Sequence, residues 1–242
     1  MNDTRRIQTF IGAMTLAALG SAGYASFASH TMHPYLATAV LALAMATSRM
    51  KAKLPGINGN MSVNLPFLLT AAVNLSSAEA VLVTGVSTAV QCWPGKKAKF
   101  NGQQMTFNLS MMTFASAVSS LLAHPTLLNR TPWSSDALGL VLASGALFLG
   151  QTAPVAGIVA LSEKKKASAI WWQVAHLSFP YYVVSAGVTS MVQAVGVHLG
   201  WGLALGVFPV MYGIHRSYRV YFSRMAENMR SEVLARAARA GE

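Results

Sequence analysis

Apolar runs recur along nearly the whole chain, and its lysines and arginines are confined to the short stretches between them. That alternation constrains the fold more than any motif does. Hydrophobic residues make up 53% of the 242 positions and charged residues only 10%, against about 25% charged in an ordinary soluble domain. The chain lacks the polar surface to coat a water-soluble globule. Eight apolar segments are read, at 7–29, 35–48, 61–75, 77–93, 104–124, 137–161, 170–197 and 198–214. The expected fold class is all-α: a polytopic transmembrane helix bundle with six to eight crossings.

The net charge of +11 is large enough to raise nucleic acid as a partner. The placement of the charges argues against it, because they sit in clusters between apolar runs. If the N-terminus, the loops at 49–63, 94–103 and 162–169 and the tail share one side, seventeen of the 18 basic residues lie there and only Arg130 lies opposite. Short-loop asymmetry of this kind marks the cytoplasmic side of a membrane. Both termini are then cytoplasmic and the number of crossings is even. The expected location is a bacterial cytoplasmic (inner) membrane. A single cysteine, Cys92, excludes an internal disulfide or a cysteine-built zinc site. The first apolar run follows Arg5 and Arg6 without a small-residue cleavage site and reads as a retained span.

The organising stretch is 49–92. Its basic start, Arg49, Lys51 and Lys53, leads into Pro-Gly and Asn-Gly turn dipeptides at 55–59. Two undersized segments follow. About 15 residues reach only some 22 Å at 1.5 Å per residue, against a hydrocarbon core of roughly 30 Å. Thin crossings and a re-entrant hairpin both fit.

The candidate ligand-binding residues are Asn64, Asn74, Glu79, Gln91, Asn108 and Gln151. Polar groups at membrane depth are costly and mark sites by default. Amides also serve as hydrogen-bonding glue between helices, and that reading stays open. Glu79 follows Ser76 by three positions, the spacing of a capping box. His30 and His33 are three apart and would share a helical face, as a metal-binding pair does; interfacial imidazoles are the plainer alternative. No phosphate loop, metalloprotease helix or nucleophile elbow is present, and an enzyme is not expected. No cofactor is implied.

Residues 1–215 read as the bundle and 216–242 as a basic amphipathic cytoplasmic helix. There Phe222, Ala226, Met229, Val233 and Ala237 recur at three-to-four spacing among arginines. Such a helix can lie on anionic lipid, pair with a second copy in a homo-oligomer, or remain solvated.

Two segments carry a resemblance. Segment 49–92 begins Arg-Met-Lys-Ala-Lys-Leu-Pro-Gly-Ile-Asn-Gly-Asn-Met-Ser-Val-Asn, continues through Leu-Ser-Ser-Ala-Glu and ends Val-Gln-Cys. The second comprises Phe-Pro-Tyr-Tyr at 179–182, Phe-Pro-Val-Met-Tyr at 208–212 and Ser-Tyr-Arg-Val-Tyr at 217–221. Together they resemble the integral-membrane input region of bacterial diguanylate cyclase and HD-type phosphohydrolase signalling proteins. The resemblance implies a membrane sensor or ligand-binding module signalling through its last helix to a cytoplasmic partner. This chain ends at Glu242, where those proteins continue into an output domain, which implies action through partners or a diverged role. A fainter similarity to the S-components of energy-coupling-factor transporters implies a solute-capturing subunit instead. A structural accessory subunit of a larger membrane complex is the third expectation.

Overall fold

A computed structural model describes residues 3–28, 32–53, 60–94, 100–124 and 136–199, together with single helical positions between 209 and 231. Seven helices and one short ribbon are found among them. They run α1 (Asp3–Ala28), α2 (Pro34–Ser48), β1 (Lys51–Lys53), β2 (Asn60–Ser62), α3 (Leu65–Asn74), α4 (Ser77–Cys92), α5 (Gly102–Ala123), α6 (Asp136–Glu163) and α7 (Ala167–Leu199). Three stretches, Thr4–Ala28, Gly102–Ala123 and Ala137–Glu163, are long and apolar enough to cross a membrane. The chain is therefore a helical membrane protein by length and composition.

At the centre lies α3. Each residue from Leu65 to Val73 is buried, and the helix packs against α2, α4, α5, α6 and α7. Its 10 residues rise only about 15 Å, half the thickness of a bilayer core. This revises the expectation for 61–75. Met61 and Ser62 do not extend the helix; they pair with Ala52 and Lys51 in the antiparallel ribbon. Pro66 starts α3, where its missing N–H is harmless. The break before α4 is set by a cap, because Leu75 is extended and Ser76 begins a new helix. The central element is a buried half-helix.

Helix directions follow from side-chain contacts. Phe10 meets Phe107 at 6.2 Å and Thr15 meets Ser110 at 3.0 Å, so α1 runs parallel to α5. Ser77 pairs with Ser120 at 3.0 Å and Cys92 with Asn108 at 3.5 Å, so α4 runs antiparallel to α5. The N-terminus of α2 lies beside that of α4, through His33 and Glu79. One end of the bundle thus carries Arg5, Arg6, Trp93 and the start of α5. The tight α6–α7 turn belongs to the same end, since Gly157 abuts Phe10. Among the described residues, Arg5, Arg6 and Lys164–Lys166 lie at that end.

Packing is close because the seams are lined with small residues. A Cβ on Gly150 would stand 2.7 Å from the Ala115 Cβ, and one on Gly139 would stand 2.7 Å from the Ala123 carbonyl oxygen. Between those points Ser119 donates to the Ala143 carbonyl at 2.8 Å. Along the α4–α5 seam Thr84 donates to Ser116, and Ser116 to the Ala80 carbonyl. In lipid, where apolar burial gives no preference between helix and acyl chain, such contacts hold helices together.

The apolar side chains left exposed complete the picture. Leu16, Leu19 and Phe27 project from α1. Tyr24 and Tyr35 are exposed toward one end of the bundle, and Trp93, Phe100 and Trp172 toward the other. Aromatic residues collect in this way at the two membrane interfaces.

Candidate functional site

The six polar candidates do not converge on one lining. Asn64 precedes α3 and is 3% exposed, yet its side chain makes no cap hydrogen bond and its Nδ2 has no partner among the described residues. Asn74 donates to the Thr70 carbonyl one turn back, at 3.1 Å. Asn108 donates to Cys92 Sγ, and Gln91 is half-buried near that end of α4. Gln151 accepts the Tyr182 hydroxyl at 2.5 Å, while its own Nε2 is buried without a partner among the described residues.

Glu79 is held by three hydrogen bonds at the start of α4. One oxygen accepts the Ser76 backbone N–H at 3.1 Å and the Ser76 hydroxyl at 2.7 Å. The Glu79 N–H donates to Ser76 Oγ, which closes a capping box. The other oxygen accepts the backbone N–H of His33 at 2.8 Å. This carboxylate therefore ties the start of α2 to the start of α4. Of the expected metal pair, His30 lies outside the described residues. His33 meets Glu79 through its main chain, and no cluster of three His, Cys, Asp or Glu side chains occurs among the described residues.

A different place has the shape of a site. A groove of about 700 Å³ lies along α7, walled by Trp171, Trp172, His176, Phe179 and Pro180, with Phe148 from α6 and Ser217 and Tyr221 from the C-terminal segment. Its aromatic residues follow helical spacing: 172, 176 and 179 recur at i, i+4 and i+7, which puts them on one face. Trp172 is 68% and Phe179 57% exposed. Position 180 is a proline inside the helix, so the N–H that would bond the His176 carbonyl is missing. No lysine or arginine is found among the described lining residues.

The wall is braced from behind. Trp171 Nε1 donates to Thr152 Oγ1 at 3.2 Å. The Phe148 ring meets Phe179 edge-on at 6.0 Å and Tyr182 edge-on at 5.1 Å. Gln151 is one turn from Phe148 on α6, and its partner Tyr182 is one turn from Phe179 on α7. The Gln151–Tyr182 pair therefore lies next to the Phe148–Phe179 ring contact. Sequence reasoning did not single out Trp171, Trp172 or Phe148 as lining residues, and it held Tyr221 only as the end of the 217–221 motif. The aromatic stripe at helical spacing was the available signal for α7; nothing local pointed to Phe148 or Tyr221 as part of the same wall.

Comparison with protein-family models, with curated proteins and with solved structures yields no match.

Proposed function

We propose that this protein is a membrane-embedded sensor that binds an apolar small molecule in the α6–α7 groove and signals through its C-terminal helical segment. One observation carries the reading. The groove is walled jointly by the bundle, through Phe148, Trp172 and Phe179, and by the C-terminal segment, through Ser217 and Tyr221. An occupant touching both parts favours one arrangement of the segment over others, and such differential contact is what a binding event needs to shift a conformational equilibrium. The aromatic, concave lining is typical of small-molecule sites.

In this reading the chain is a multi-pass protein of a bacterial cytoplasmic membrane with both termini inside. The gathering of Arg5, Arg6 and the Lys164–Lys166 turn at one end of the bundle supports that orientation. Trp171 and Trp172 then lie at the cytoplasmic interface, and the groove is reached from the inner leaflet. The exposed face of the C-terminal segment, with Arg216 and Arg224, meets anionic lipid or a cytoplasmic signalling partner. The reading involves no catalysis.

Native mass spectrometry of the purified chain in mild detergent tests the proposal. A retained apolar molecule is expected in the wild-type protein and lost in Trp172→Ala and Phe179→Ala. Equal retention in those variants and the wild type would move the ligand away from the groove.

A further inference from the structure

The polar groups that line the groove narrow the class of ligand, on the reading that the groove is the binding site. Trp172 stands near the start of α7 and Ser217 beside the exposed Arg216, so their donors are within reach of the interface. His176 lies one turn further along α7 than Trp172. Its side chain is exposed in the groove wall and makes no hydrogen bond or ion pair among the described residues. The same residue supplies a second acceptor. Its carbonyl points along the helix toward Pro180, which also lines the groove and has no N–H to give. Elsewhere on α7 serine hydroxyls bond back to carbonyls, Ser178 to Val174 and Ser185 to Tyr181. No side-chain donor serves the His176 carbonyl among the described residues. A backbone acceptor freed by proline needs a donor that acyl chains cannot provide.

The carbonyl can only accept, whereas the imidazole can accept through one nitrogen and donate through the other. A ligand hydroxyl suits both, because it can donate to either. The rest of the lining sets the shape: Trp171, Trp172, Phe148 and Phe179 offer ring faces and edges to a flat aromatic body. No lysine or arginine is found among the described lining residues, so a carboxylate or phosphate would depend on a protonated His176 alone. We infer that the groove takes a membrane-soluble aromatic alcohol, the chemistry of an alkylated phenol or naphthol, with its hydroxyl donating to His176. Only binding is involved; no reaction is assigned to the protein.

The test uses the full chain in lipid nanodiscs, with empty nanodiscs as the blank for partition. A short-chain alkylnaphthol is titrated while tryptophan fluorescence is read, and is then displaced by its methyl ether and by the matching alkylnaphthoic acid. Saturable quenching is expected. The ether keeps the ring and the oxygen but has no O–H, and it should compete about tenfold more weakly, the worth of one hydrogen bond. His176→Phe removes the imidazole, and Pro180→Ala returns an N–H to the carbonyl. The preference for the naphthol should fall in one of these variants, which names the acceptor, and be absent from the double variant. Neither change threatens the fold, since His176 is exposed and alanine is a better helix former than proline. Equal competition by naphthol and ether in the wild type, a preference that survives in the double variant, or tighter binding of the naphthoic acid overturns the hydroxyl assignment and leaves the groove as the site. Absence of saturable quenching and of displacement removes the groove reading as well.

Discussion

Gly150 of α6 lies so close to Ala115 of α5 that a Cβ on the glycine would stand 2.7 Å from the alanine Cβ and 3.0 Å from its Cα. Neither neighbour is a flexible side chain, so the helices themselves would have to part. Gly150→Ala is expected to destabilise the bundle by about 1–3 kcal/mol, the usual cost of overpacking. Gly145→Ala, on the same helix with nothing within 4 Å of the added carbon, is the control. It should be neutral or slightly stabilising. Thermal unfolding in detergent distinguishes them.

The capping box gives a graded series. Ser76→Ala removes the acceptor for the Glu79 N–H and is expected to cost about 1 kcal/mol. Glu79→Ala removes the bond to His33 as well and should cost more than Ser76→Ala. Zinc added to the wild-type protein should leave its unfolding temperature unchanged. A rise that is lost in His33→Ala would support the metal pair.

The α6–α7 turn carries backbone strain. Lys164 has φ 54°, in the left-handed region that costs a non-glycine residue roughly 1–2 kcal/mol. Lys165 N–H closes the turn on the Ala160 carbonyl at 3.2 Å. The neighbouring Lys165–Glu163 ion pair is solvent-exposed and adds little. Lys164→Gly is expected to stabilise the protein by up to about 1 kcal/mol, read as a shift in the unfolding midpoint.

Across the α4–α5 seam, Thr84 and Ser116 are bonded at 2.9 Å and both are buried. A double-mutant cycle with Thr84→Val and Ser116→Ala should give a coupling of about 0.6 kcal/mol, typical of interhelical bonds in membranes. Additive losses would mean that the two hydroxyls act independently.

Much of the architecture is legible in the sequence because apolar runs bounded by basic or turn residues are local signals. The segments read at 104–124 and 137–161 emerge as Gly102–Ala123 and Asp136–Glu163, and the spacing of Ser76 and Glu79 anticipates the cap that separates α3 from α4. The ribbon is not legible. Its turn dipeptides are visible, but the pairing of Lys51 with Ser62 depends on two strands of three residues with no alternation long enough to notice. Most of the eighth segment, 198–214, and the apolar stripe of the tail lie outside the described residues; the first two positions of that segment, 198 and 199, belong to α7. The groove is hidden for a further reason. Phe148 and Phe179 are 31 positions apart in sequence, and only the antiparallel docking of α6 and α7 brings their rings to 6.0 Å. Single polar residues such as Asn64 and Gln151 attract attention in a sequence, whereas a shared aromatic wall exists only after packing.

Hydrogen–deuterium exchange over residues 216–231, in nanodiscs and with the molecule that co-purifies, tests most directly whether occupancy of the groove reaches the C-terminal segment. The account predicts slower exchange in that segment when the groove is filled, and no change in Phe179→Ala. Full occupancy of the groove with unchanged exchange there would contradict it.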